Sequence, residues 1–140
     1  MIGAGKRIVT IHATKVGCDS HGYGQMWEVF LPRISDTGLT SLILWEMRGG
    51  VTGDDVLPPL VNSPISSLTN LDLSTNASWW ENGEALAHLL EFLPRQTHLQ
   101  DFWFRENNLT PDQTTQLLQC IARSHKDLND LNLSESCNFD

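Results

Sequence analysis

The hydrophobic positions of this 140-residue chain follow one pattern that returns at a near-constant interval. Four segments read apolar-x-x-apolar-x-apolar: Leu39 to Leu44, Leu68 to Leu73, Leu99 to Phe104 and Leu128 to Leu133. A weaker copy, Ile8 to Ala13, precedes them, and the first residues of the five copies lie 31, 29, 31 and 29 positions apart. Residues two apart, such as Leu71 and Leu73, share one side of a strand. The first apolar residue of each copy sits where the chain bends into that strand. The pattern predicts parallel strands near 8–13, 40–45, 69–74, 100–105 and 129–133, in that spatial order.

Between these segments the period lengthens from that of a strand to that of a helix. Leu86, Leu89, Leu90 and Leu93 fall at i, i+3, i+4 and i+7, one face of a helix. Trp27, Phe30, Leu31 and Ile34 share that spacing, and Thr114, Leu117, Leu118 and Ile121 follow it less purely. Helices are therefore predicted near 24–34, 83–93 and 111–123. The stretch from Val56 to Val61 is the poorest helix, because Pro58 and Pro59 are expected to disrupt anything beyond its first turn. Thr110-Pro111-Asp112-Gln113 combines an N-cap, a proline at the first helical position and a capping-box glutamine. Thr52 and Asn82 are candidate caps for the two preceding helices. One strand–loop–helix unit cannot bury its apolar stripe alone, so several must stack. Leu71, Leu73, Leu89, Leu90, Phe102, Phe104, Leu118 and Leu131 are the expected core.

The stretches Leu68-Thr69-Asn70-Leu71-Asp72-Leu73-Ser74-Thr75-Asn76 and Leu99 to Asn107 resemble leucine-rich repeats, with Asn76 and Asn107 at that family's asparagine position. Val16, Met47 and Ser136 stand at the same position in the other copies. The spacing and the full helices resemble the ribonuclease-inhibitor-like subclass, from about Ile8 to Leu133. The resemblance implies an α/β leucine-rich-repeat solenoid with a curved parallel sheet inside and helices outside. It implies four to five repeats, starting near 8, 39, 68, 99 and 128, in a single domain over 1–140. It also implies that a buried asparagine satisfies backbone groups at the turn after the strand, and that ligands sit on the concave sheet face. The architecture hosts many unrelated roles, so function must be argued from that face.

The strand positions that point away from the helices form three rows. One runs His12, Ile43, Asp72, Trp103, Asn132; beside it runs Thr10, Ser41, Asn70, Asp101, Asp130; just past the strands come Thr14, Trp45, Ser74, Arg105, Ser134. Ile43, Trp45 and Trp103 are unexpected on a solvent face, and Trp and Arg are enriched at interface hot spots. The alternative is that the indoles fold over the sheet edge or pack under a loop. Asp72, Asp101 and Asp130 lie on the same surface, followed by Glu46, Glu106 and Glu135 and opposed only by Lys15 and Arg105. They are either ordinary solvated charges or a match for Lys and Arg on a partner. The candidate partner-binding set is Ile43, Trp45, Asp72, Asp101, Trp103, Arg105 and Asp130. Trp79 and Trp80, adjacent in a polar loop, are expected to plug the side of the stack rather than make a contact site.

Composition narrows the function classes. A net charge of -8 and a pI near 4.9 argue against phosphate-backbone binding and against docking on anionic lipid, and favour a basic protein partner. The longest near-apolar run, Leu39 to Trp45, is too short to span a bilayer. Cys18, Cys120 and Cys137 are few, odd in number and far apart, as in reduced thiols. Met1 to Arg7 carry no apolar leader core, so the expectation is a cytoplasmic protein in which the sequons at Asn76, Asn108 and Asn132 carry no weight. Cys18, Asp19 and His21 lie together among glycines without the motif of any Cys–His enzyme, and one Cys with one His falls short of a zinc site. Gly3-Ala4-Gly5-Lys6 lacks the spacing of a phosphate loop. No catalytic residue, metal ligand or cofactor is expected. The rival reading is a structural assembly subunit. Residues 1–7 and 134–140 are too short to form capping units, so Leu131, Leu133 and Phe139 are expected to stack on a neighbouring subunit, a second copy or further repeats.

Overall fold

The computed structural model describes residues 10–14, 38–47, 52–81 and 83–136. The expected helix over 24–34, the Asn82 cap, the Cys18-Asp19-His21 group and Phe139 lie outside them. Five strands form one parallel sheet in chain order: β1 (Thr10–Thr14), β2 (Ser41–Trp45), β3 (Asn70–Asp72), β4 (Asp101–Trp103) and β5 (Asp130–Asn132). Three α-helices are described: α1 (Gly53–Asn62), α2 (Gly83–Phe92) and α3 (Pro111–Ser124), with short 3-10 turns at Ala77–Trp80 and Leu93–Arg95. The fold is α/β, with parallel order as the spacing predicts. The last three strands are shorter than expected, although Leu73 and Phe104 just beyond two of them remain fully buried.

One side of the sheet is the core. Leu42, Leu44, Leu71, Leu73, Phe102 and Phe104 are fully buried and share a single cluster with Val56, Leu57 and Leu60 of α1, Leu89 and Phe92 of α2, and Leu117 and Ile121 of α3. Trp79 and Trp80 join it, with the Trp80 ring 4.9 Å from that of Phe104. They plug the core as expected of them. Leu90 and Leu118 are only half-buried, because their neighbours Leu89 and Leu117 occupy the centre of each helical stripe. Leu131 departs further: it is 37 % exposed, because β5 is an edge strand and no sixth strand is described beside it.

Helix α1 overturns the expectation for Pro58 and Pro59, for it runs ten residues straight through them. The prolines cost the two i→i−4 bonds that would end on the carbonyls of Asp54 and Asp55 in the first turn. Burial of Val56, Leu57 and Leu60 to 1 % exposure or less offsets that loss. The Asp55 carboxylate also accepts the Thr52 N–H at 2.9 Å at the helix start. At its other end the Leu60 carbonyl accepts the Ser63 N–H and hydroxyl, and the Arg95 guanidinium donates to the carbonyls of Leu60 and Ser63 as well. Gly53 lets α1 approach closely: a Cβ there would stand 2.7 Å from the Ala85 Cβ of α2. Helix α3 starts as its capping box predicts, Thr110 Oγ1 accepting from the Gln113 N–H and Gln113 Oε1 from the Thr110 N–H.

Successive strands are tied together at both ends. Past the strands, the Met47 N–H donates to Asn76 Oδ1, the Asn76 N–H to Asn107 Oδ1 and the Asn107 N–H to Ser136 Oγ, at 2.9, 2.7 and 2.9 Å. The side-chain amides turn back to carbonyls, Asn76 Nδ2 to Leu44 and Leu73 and Asn107 Nδ2 to Leu73, and the Ser136 hydroxyl does the same to Phe104. Ser136 thus fills the asparagine position with one hydroxyl. Immediately before these residues the backbone turns left-handed at Glu46, Thr75, Glu106 and Glu135, with φ of 51, 61, 56 and 58°. None is glycine, so the ladder holds a turn that side chains disfavour by about 1–2 kcal/mol each. Before the strands, buried Gln96 accepts from the Leu68 N–H and donates to the Ile65 carbonyl, and the His125 ring bonds the Leu93 carbonyl at 2.8 Å. Residues 96 and 125 each precede a repeat start by three positions.

Candidate functional site

The side of the sheet opposite the helices is the candidate site. The strand register sets Ile43 opposite Asp72, Asp72 opposite Trp103 and Trp103 opposite Asn132, with His12 beside Ile43. Ser41, Asn70, Asp101 and Asp130 line up in the same way. The rows read from alternation alone therefore exist as continuous rows on neighbouring strands. Parallel strands lie about 4.8 Å apart, so adjacent members of a row are in side-chain reach.

Their environments differ. Trp103 is 40 % exposed, and its indole Nε1–H donates to Asp130 Oδ2 at 3.0 Å. The indole thus leans along the sheet toward β5 instead of folding under a loop. Asp130 is itself exposed, and Asp101, opposite it on β4, is half-buried. Asp72 corrects the expectation of a free outward charge, being only 9 % exposed between Ile43 and Trp103. One of its oxygens accepts the Ser74 N–H at 2.9 Å.

The rim past the strands holds a second group. Trp45 is half-buried and its Nε1–H donates to Thr75 Oγ1, which donates in turn to a Glu106 oxygen. Trp45 therefore behaves as the folded-over alternative, a rim residue with its polar end fixed. Arg105 is exposed, its backbone N–H on Ser74 Oγ and its guanidinium Nε–H 3.3 Å from Ser134 Oγ. Ile43 is half-buried on β2. Of the candidate set, the structure brings Asp72, Asp101, Trp103 and Asp130 into one patch, and leaves Trp45 and Arg105 on the rim.

Among the described residues, no group of three or more His, Cys, Asp or Glu side chains is placed to hold a metal ion. A shallow groove lies on the helical side, lined by Leu90, Pro94, Gln116, Cys120 and Arg123 among others. Burial pushes the Cys120 thiol above its ordinary pKa, opposed in part by the Arg123 charge and a hydrogen bond with Ser124. That is the direction opposite to a reactive thiolate. No helix among the described residues is long and apolar enough to cross a membrane.

Pattern reading missed the left-handed residue after β2, β3, β4 and β5 and the polar ties made by Gln96 and His125. The first leaves no composition signal, since the residues there, three Glu and one Thr, are not turn formers. Gln96 and His125 left a trace, because both lie at the same offset before their repeats. The chain matches no protein-family model, and no curated protein matches it.

Proposed function

We propose that the chain is a leucine-rich-repeat solenoid of the ribonuclease-inhibitor-like kind that works as a non-catalytic interaction module, binding a basic protein partner on its exposed sheet face. The observation that carries this reading is Trp103. A large indole stands 40 % exposed on a strand whose opposite side, at Phe102 and Phe104, is fully buried, so the fold does not need it there. Its neighbours Asp101 and Asp130 and the net charge of -8 support a partner of positive charge. The 29- and 31-residue return of the asparagine and serine bonds supports the solenoid reading. We assign the module to the cytoplasm, a reading supported by the free Cys120 thiol.

A second reading is assembly through the flank of β5, supported by Leu131 at 37 % exposure and Leu128 and Leu133 at partial exposure beside it. One experiment separates the two. Affinity capture from the source lysate is run with the intact chain, a Trp45→Ala/Trp103→Ala variant and a Leu131→Glu variant. The docking reading expects a partner lost with the double tryptophan variant and kept with Leu131→Glu. A partner held equally by the intact chain and the double variant removes the sheet face from consideration.

A further inference from the structure

The patch around Trp103 holds negative charge that forms no ion pair among the described residues, since the nearby Arg105 guanidinium turns to Ser134 on the rim. Asp101 and Asp130 are in register on β4 and β5, two carboxylates directly opposite one another on the same face. Like charges in that relation destabilise a sheet. The Asp101 side chain makes no hydrogen bond or ion pair among the described residues, and Asp130 has only the neutral indole N–H of Trp103. Asp72, across from Trp103 on β3, is nine-tenths buried; one oxygen accepts the Ser74 N–H, and no ion pair to it is formed among the described residues. An exposed indole therefore stands with carboxylates on three sides: across on β3, two residues back on its own strand, and diagonally on β5.

We propose that this patch is a receptor for one arginine side chain of the protein partner, the guanidinium lying flat on the Trp103 indole with its N–H groups directed to Asp101 and Asp130. This rests on the docking reading and specifies the chemistry of its anchor. Arginine fits better than lysine for three reasons. Its planar cation stacks on an aromatic face. Its fixed fork of donors can serve more than one carboxylate, where an ammonium is a point charge. It is also less strongly hydrated, so a half-buried site removes its water more readily. The Nε1–H bond to Asp130 fixes the tilt of the indole before the guest arrives, and Asp72 adds negative potential from the neighbouring strand.

The probe is a capped peptide, Gly-Arg-Gly-Arg-Gly, compared with the same peptide carrying citrulline, which is isosteric and uncharged, and with one carrying lysine. The readout is the indole Nε1–H resonance of Trp103 in the nitrogen–proton correlation spectrum, assigned by its loss in Trp103→Phe. The arginine peptide is expected to move that resonance saturably, citrulline to leave it in place, and lysine to bind more weakly. D101N and D130N should each weaken the arginine peptide by about fivefold or more. D130N keeps an acceptor for the indole, and the dispersion of the remaining resonances shows that each variant is folded. Equal shifts with arginine and citrulline, or wild-type affinity in D101N and D130N, would overturn the inference. If the peptides fail while a captured partner still requires Trp103, the arginine anchor is wrong and the docking face stands. If both fail, both are wrong.

Discussion

Phe102 and Trp103 are neighbours in the chain and opposites in the structure. Phe102 is fully buried between sheet and helices, in ring contact with Phe104 at 5.6 Å, whereas Trp103 is 40 % exposed and held by a single bond to Asp130. The same division runs through β2 and β3 on the helical side. On the helical side Leu42, Leu71 and Phe102 form a row without polar atoms. On the other side Ile43, Asp72 and Trp103 form a row that mixes charge with apolar surface. Burial is concentrated on the first side, and the second leaves Trp103 in solvent. That asymmetry separates a residue required for packing from one that packing does not use, even at adjacent positions.

The comparison can be broken most directly by truncating its two halves. Phe102→Ala should cost about 3–5 kcal/mol, since it leaves a ring-sized cavity in the core, whereas Trp103→Ala should cost about 1 kcal/mol or less in stability. Chemical denaturation of the two variants checks this, and the reverse ranking would mean that the faces are assigned backwards. Asn76→Ala comes next, at about 2–4 kcal/mol, because it abandons the buried Met47 N–H and two carbonyls together; its melt should fall well below that of an exposed control such as Gln116→Ala. Gly53→Ala should cost about 1–3 kcal/mol by forcing α1 away from Ala85 and Trp79, and a neutral result would show slack between these helices. Asp130→Asn should change stability by less than about 0.5 kcal/mol, in the stabilising direction if repulsion from Asp101 is felt; low-salt melts resolve the sign.

Strand positions, order and facing were legible because alternation leaves a mark at every second residue and the repeat supplied five registers to compare. The rows at Ile43–Asp72–Trp103 and Asp101–Asp130 follow from that alone. Depth of burial was less legible. Asp72 and Trp103 occupy the same row, yet one is nine-tenths buried and the other is exposed, because Asp72 lies between two large neighbours. Pro58 and Pro59 misled because propensity speaks for an isolated helix, whereas α1 is held by Val56, Leu57 and Leu60 against the core. Ser136, which stands at the asparagine position in the last copy, has a shorter side chain, yet its hydroxyl both receives the Asn107 N–H and donates to the Phe104 carbonyl.

The turn ladder is one-way. The amide of Met47 depends on Asn76, that of Asn76 on Asn107, and that of Asn107 on Ser136, each acceptor supplied by the later unit. Fraying that starts at β5 therefore uncovers these protons in sequence, Asn107 first and Met47 last. Fraying from β1 reverses the order: Met47 is uncovered first, when its own unit comes loose from Asn76, and Asn107 last. Deuterium uptake at the three amides accordingly reads the direction in which the stack opens, as a row of fuses records the path of a fault.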